Sequence, residues 1–167
     1  MAGLYFEDFE PGVVFTHDAA RSVTQYDNIW FSCMTLNTQP LHINLDFCER
    51  DGLYKKPLFN SMYTLSIIVG QTSSDLTFGT LLRTLLLNDI QFPRPTFADD
   101  TLYSRTTVLG TANSEEDSEG GVVELLHEGT NQRGEIVASC KRTVIVKKRP
   151  GAKGNPSSAL ALQHQEG

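Results

Sequence analysis

Cysteine is scarce: Cys33, Cys48 and Cys140 are the three in 167 residues. None of them forms a Cys-x-x-Cys spacing, and an odd number closes no disulfide framework. Cys33 falls on an apolar helix face and Cys140 inside a strand pattern, so both read as buried structural thiols. No apolar run approaches the roughly 20 residues that cross a bilayer. The first residues lack the basic and apolar regions of a secretory signal, which makes the expected location cytoplasmic, with no membrane partner. Basic residues are also in the minority, 14 Lys and Arg against 20 Asp and Glu, for a net charge of −6. Nucleic-acid binding needs a clustered basic surface, so no nucleic-acid partner is expected. No His/Cys/Glu spacing suggests a metal, no Gly-rich loop suggests a nucleotide cofactor, and no internal repeat is present.

What remains is an ordinary globular composition, 40% hydrophobic and 20% charged, in a chain long enough to bury a core. One domain over residues 1–149 is expected. From Pro150 the composition turns to Pro, Gly, Ser, Ala and Gln, which predicts a flexible tail over 150–167. A lead-in segment packed by Tyr5, Phe6 and Phe9 precedes two short strand-like pieces, Val13 to Thr16 and Arg21 to Thr24. Thr24 and Asp27 then form a variant capping box. The helix it opens carries Tyr26, Ile29, Trp30, Cys33 and Met34 at the i, i+3, i+4, i+7, i+8 positions of one helical face, and should end near Leu36. Residues 43–50 make one or two further helical turns, closed by Asp51 and Gly52.

Asn60 and Ser61 are N-cap types ahead of a run from Met62 to Val69 with no polar stripe. A helix apolar all round is wrapped on all sides, which makes this the central buried helix. The remainder reads as four or five β-strands, at 81–92, 101–109, 122–127 and 136–146 with short polar connections, hence an antiparallel sheet. The acidic stretch Asn113 to Gly121 is a solvated hairpin connection. The fold class is therefore α+β, a curved antiparallel sheet around one long central helix.

The pivot of the chain is Asn37-Thr38-Gln39-Pro40-Leu41-His42. Pro40 ends the first helix and stiffens the turn, and His42 is a side chain that exchanges a proton near neutral pH. His17, His127 and His164 have no comparable surroundings and read as structural or surface residues.

These stretches resemble the MaoC-like group of hotdog-fold proteins, the (R)-specific enoyl-CoA hydratases and dehydratases. The group's turn Asp-x-Asn-Pro-x-His appears as Asn37 to His42. Its helix opening His-Gly-Met appears as Asn60-Ser61-Met62 after Pro57. Its Phe-Pro-x-Pro-Val and Gly-Asp-Thr-Leu stretches appear as Phe92-Pro93-Arg94-Pro95-Thr96 and Asp99-Asp100-Thr101-Leu102. The spelling looks most like the branch acting on short branched or dicarboxylic acyl-CoA esters, with mesaconyl-CoA hydration and β-methylmalyl-CoA dehydration as examples. The likeness runs over residues 5–148.

The resemblance implies a hotdog fold and a hydro-lyase that adds or removes water across the 2,3 double bond of a short enoyl-CoA. Coenzyme A is then part of the substrate and no separate cofactor is needed. It implies His42 and Asn37 as catalytic residues holding the water, Gln39, Asn60, Ser61 and Met62 as substrate-binding, and the N–H groups near Ser61 and Met62 as the oxyanion site. It also implies a homodimer or higher homo-oligomer. An asparagine at 37 does not titrate and offers hydrogen bonds only. Three arrangements stay open: His42 as the base with Asn37 orienting water, a carboxylate such as Asp27 or Asp46 as the base, or a site that only binds acyl-CoA. A thioesterase on the same fold is the rival activity. Arg94, Lys55, Lys56 and Lys147 to Arg149 are the candidates for CoA phosphates.

Overall fold

In the computed structural model, residues 3–151 are described. Nearly all of the expected tail, His164 included, lies outside them. The helices α1 (Gln25–Met34), α2 (Pro40–Ile43), α3 (Leu45–Arg50) and α4 (Ser61–Gln71) all precede the long strands. Those strands are β3 (Leu81–Gln91), β4 (Thr101–Asn113), β5 (Gly120–Thr130) and β6 (Ile136–Lys147). The short strands β1 (Val14–Thr16) and β2 (Arg21–Ser22) both add to β4, giving a six-stranded antiparallel sheet in the order β1-β4-β5-β6-β3 with β2 beside β4. No helix among the described residues is long and apolar enough to cross a membrane.

Strand alternation decides which face carries the core. On β4, Leu102, Ser104, Thr106 and Val108 are buried, while Tyr103, Arg105 and Leu109 point to solvent. On β5, Val123, Leu125, His127 and Gly129 face the same interior. Helix α4 lies over this face and packs against β4, β5 and β6. Its seat is Gly129, where an added Cβ would come within 1.9 Å of the Ile68 Cδ1. The far end is tied down by the Gln71 amide, which donates to the Leu102 carbonyl at 2.8 Å.

Two expectations need correction. Helix α4 is not covered all round by its own chain: Thr64, Leu65, Ile68 and Gln71 are buried, whereas Met62 is 52% exposed and Ser66 and Gly70 are open. Helix α1 is turned the other way from its apolar stripe. Tyr26 (75% exposed), Ile29, Trp30, Cys33 and Met34 face solvent, and Asn28 and Ser32 are the buried residues. Cys33 is thus an exposed thiol, not a buried one. Cys140 is buried as expected, and burial pushes its thiol up to about 11, the behaviour of an inert core cysteine.

The core also contains a polar chain from His17, just after β1, to β4 and β5. His17 Nδ1 meets the Asp75 carboxylate at 2.9 Å, its Nε2 meets the Thr106 hydroxyl at 2.9 Å, and that hydroxyl meets His127 Nδ1 at 2.9 Å. Both histidines are buried. Desolvation, helped by the nearby Arg142 and His17 charges, lowers the His127 pKa from 6.5 to about 3, so that ring stays neutral at ordinary pH.

Candidate functional site

The turn after α1 is made by a backbone motif, not by the proline. The Asn37 N–H donates to the Ser32 carbonyl at 2.9 Å and the Leu36 N–H to the Cys33 carbonyl at 3.1 Å, a Schellman closure. Leu36 takes the left-handed position, φ 60°, where glycine is the unstrained residue. The helix therefore stops at Met34, and Pro40 has a different task from the one expected of it. It opens α2 at the first helical position, where its missing N–H costs nothing.

His42 sits at the end of that single turn and is 7% exposed. Its Nδ1 lies 2.8 Å from the Leu58 carbonyl oxygen. A carbonyl only accepts, so Nδ1 carries the proton in the neutral ring and Nε2 carries the lone pair. No described residue bonds to Nε2, which leaves that lone pair available. The backbone around the ring is held as firmly. The His42 carbonyl accepts from Gln25 Nε2 at 2.8 Å and from Asn28 Nδ2 at 3.0 Å, and the Leu58 N–H donates to the Leu41 carbonyl at 2.9 Å.

Leu58 stands three residues ahead of Ser61, where α4 begins. Asn60 caps this helix. Its Oδ1 accepts from the Met62 N–H at 3.1 Å, its Nδ2 donates to the Ser32 hydroxyl at 3.1 Å, and its own N–H donates to Asn28 Oδ1 at 2.9 Å. The Asn60 side chain is thus buried and committed to the cap. The Met62 N–H is already taken, whereas the Ser61 N–H has no partner among the described residues. Ser61 is the donor left over at the positive end of α4.

A cleft of about 170 Å³ opens at this helix start, lined by Leu58, Ser61 and Thr64 on one side and by Phe92 to Thr96 and Val137 on the other. Neither His42 nor Asn60 is part of the cleft's lining; His42 is bonded to Leu58, which is. Asn37, Gln39 and Met62 are exposed and not part of its lining. The structure therefore ties the His42 turn to the residues leading into α4 through Leu58 and Asn28, places Ser61 alone of the expected site residues in the cleft wall, and leaves Asn37 and Gln39 exposed at the turn.

Of the cations considered, Arg94 lines the cleft. Lys56 lies 3.8 Å over the Phe97 ring, Lys55 donates to the Arg50 carbonyl, Lys147 and Lys148 bind the Gly79 and Ser118 carbonyls, and Arg149 pairs with Asp8. The candidate carboxylates are engaged. Asp27 closes the capping box and pairs with Arg21 at 2.7 Å. Burial pushes its carboxyl upward, but the Thr24 hydrogen bonds and Arg21 outweigh that and hold it below the ordinary value. Asp46 pairs with Arg50 on the exposed face of α3.

The polar row Gln25, Asn28 and Ser32 of α1 escaped the sequence reading, which followed the apolar stripe. The signal was present: these residues stand at i, i+3 and i+7, one face of a helix.

An antiparallel sheet packed over one helix defines a hotdog-type domain. The description "MaoC like domain" matches residues 8–130, and the chain belongs to that family. A mesaconyl-CoA hydratase of Cereibacter sphaeroides is 29% identical over 161 residues, 95% of this chain and 46% of the relative. A β-methylmalyl-CoA dehydratase of Chloroflexus aurantiacus is 28% identical over 147 residues, 88% of this chain and 41% of the relative. The chain thus spans less than half the length of these curated relatives. Among solved structures, a putative MaoC-domain dehydratase of Chloroflexus aurantiacus superposes with a TM-score of 0.84 at 26% identity, over 95% of this chain and 44% of that one. A Mycobacterium tuberculosis protein with a double hotdog fold gives 0.78 at 23% identity, over 95% and 49%, and bears on the fold alone.

Proposed function

We infer that this domain adds water to, or removes it from, the 2,3 double bond of a short enoyl-CoA, branched and dicarboxylic acyl groups included. The observation that carries this reading is the His42 ring, whose Nδ1–H is held by the Leu58 carbonyl three residues ahead of the start of α4 so that Nε2 keeps its lone pair, together with a Ser61 N–H at that helix start that has no partner among the described residues. In the forward direction Nε2 takes a proton from water as the oxygen bonds to C3. The double-bond electrons move through C2 onto the thioester oxygen, which the Ser61 N–H and the α4 dipole stabilise. The imidazolium then returns the proton to C2, the thioester carbonyl re-forms, and the ring is neutral again. Asn37 and Gln39 face away from this chain's own cleft and enter the scheme only where a second copy completes it. The substrate carries its own CoA, so no further cofactor enters this scheme.

The functional unit in this reading is a homodimer. Tyr26, Trp30 and Met34 on α1, and Leu85, Leu86, Leu87 and Ile90 on the edge strand β3, form exposed apolar surface unusual for a lone domain. The cleft is also smaller than the roughly 300–1,000 Å³ of a typical ligand pocket. A second copy would cover the former and deepen the latter. Light scattering on the purified chain should give twice the monomer mass; a monomer throughout counts against this part.

The activity is tested by incubating the protein with crotonyl-CoA and mesaconyl-CoA while following enoyl absorbance and free thiol together. Loss of enoyl absorbance without thiol release, abolished in His42→Ala, supports the hydro-lyase. Thiol release at a comparable rate moves the assignment to a thioesterase. Saturable binding with neither, unaffected by His42→Ala, makes the domain an acyl-CoA binding module.

A further inference from the structure

Asn28 lies in the middle of α1 with 0% of its surface exposed. Asparagine is a poor helix former, and a buried amide is costly unless its hydrogen bonds are made. Here they are made in full on the donor side. Nδ2 donates to the His42 carbonyl at 3.0 Å and to the Leu58 carbonyl at 3.1 Å, and Oδ1 accepts from the Asn60 N–H at 2.9 Å. The orientation of the amide is fixed by chemistry, because two carbonyls can only accept and one N–H can only donate.

The three partners are the parts of the candidate site that must keep their mutual distance. His42 carries the imidazole. Leu58 carries the oxygen that also takes the imidazole Nδ1–H. Asn60 caps α4, whose next N–H belongs to Ser61. One side-chain amide thus joins the turn bearing the base to the helix start bearing the oxyanion donor. Its neighbours on the row hold one piece each: Gln25 the His42 carbonyl, Ser32 the Asn60 side chain.

We propose that Asn28 is the positioning residue of this site, setting the His42 ring and its tautomer against the first turn of α4. The proposal rests on the hydration reading for its effect on rate, but its geometric part concerns the ring alone. If the amide is removed, the Leu58 carbonyl loses the bond that holds it toward Nδ1, and Nε2 drifts relative to the Ser61 N–H. Misplacement of a reacting group by about 1 Å costs on the order of 100-fold in rate. Substrate binding in the cleft uses other residues and should change little.

The test compares the full chain with Asn28→Ala and Asn28→Ser, using Leu76→Val, in the separate core cluster under β4 and β5, as a control for lost stability. All are assayed where circular dichroism shows them folded. The expected result is a kcat about 10–100-fold lower in the Asn28 variants with KM within about threefold, and a parental kcat in Leu76→Val. In parallel, ring 15N shifts of His42, assigned through His42→Gln, should show the Nδ1–H tautomer in the parent and a mixture in the variants. If Asn28→Ala does not fold, Asn28→Ser carries both readouts, since its hydroxyl can replace one of the two donated bonds. Folded Asn28 variants with parental kcat and parental ring shifts would overturn the proposal while leaving the hydration reading intact. A parent that hydrates no enoyl-CoA, with ring shifts that still change in the variants, would overturn the hydration reading and uphold Asn28 as the residue that sets the ring.

Discussion

The His42 ring and the Leu58 carbonyl oxygen, 2.8 Å apart, belong to segments 16 residues apart in the chain. The same oxygen also accepts from Asn28 Nδ2 at 3.1 Å. It follows that replacing His42 with alanine does not orphan the Leu58 carbonyl, and the loss of stability should stay near the roughly 1 kcal/mol of one hydrogen bond plus the ring's packing. The loss of activity should be far larger, about 10²–10⁴-fold in kcat, the usual contribution of a general base. A folded His42→Ala protein with more than about a tenth of the parental rate would remove the imidazole from the mechanism.

Asn37 sits in the left-handed exit of α1 with an exposed side chain that no described residue binds. A carboxylate there would not be buried, so Asn37→Asp should fold normally and keep turnover at or above the parental level. In a cleft that a second copy completes, the new carboxylate can hold the water and also accept its proton. Steady-state kinetics on the enoyl substrate give the answer, and complete loss of turnover would mean that the amide N–H itself is needed.

Much of the architecture was legible because local signals and tertiary packing agree. The Thr24 and Asp27 capping box forms with both of its hydrogen bonds, the Asn60 cap opens α4, and the four long strands fall where the alternating runs stand. The facing of α1 was not legible. An apolar stripe such as Tyr26, Ile29, Trp30, Cys33 and Met34 predicts an inward face, because large apolar side chains are the ones most often buried. The inward face is instead the polar row Gln25, Asn28 and Ser32, which is stable because each residue meets a fixed backbone or side-chain partner. The exit of α1 was misread for a related reason. Leu36 adopts a left-handed conformation that the residue type does not announce, and Pro40 drew the assignment instead.

Stability should fall in acid, and His127 says over which range. Its folded pKa is about 3 against an ordinary 6.5, through burial first and then the Arg142 and His17 charges. Between those values the unfolded chain binds a proton that the folded chain refuses, so unfolding free energy rises with pH there. The contribution is fully present above about 6.5 and is lost as pH falls toward 3, on the order of 5 kcal/mol in all. Asp75 acts in the same direction at lower pH, because the His17 hydrogen bond holds its carboxyl below the ordinary value. Urea melts at pH 7, 6, 5 and 4 should show the decline. His127→Asn keeps a polar group opposite Thr106 without titrating, and should flatten it; an unchanged slope would assign the acid sensitivity elsewhere.

Leu36, at φ 60° and 87% exposed, holds a conformation that costs an L-residue about 1–2 kcal/mol. Glycine removes that cost and adds about 0.5–1 kcal/mol of backbone entropy loss. Leu36→Gly should therefore stabilise the chain by about 0.5 kcal/mol, visible as a rise in thermal midpoint of about 1–2 °C. Leu36→Ala keeps the Cβ and should show no gain. Equal midpoints for the two variants would mean that the left-handed residue carries no strain.

Gly129 and Ile68 set how closely α4 lies on the sheet, and so where the Ser61 end of that helix points. A Cβ at 129 would come within 1.9 Å of Ile68 Cδ1 and 2.3 Å of its Cγ1, and Ile68 is itself fully buried. Gly129→Ala should accordingly cost about 1–3 kcal/mol through overpacking, with the helix pushed off the strand. Ile68→Val alone removes the Cδ1 and should cost about 0.5–1.5 kcal/mol. Combined, the two changes relieve the shortest contact, and the double variant should be more stable than the sum of the singles predicts, by about 0.5–1 kcal/mol. The same cycle read in kcat tests whether the helix seat controls the site. If α4 carries the oxyanion donor, Gly129→Ala lowers kcat and Ile68→Val restores part of it. Strict additivity in both stability and rate would show that the helix accommodates the extra carbon without moving.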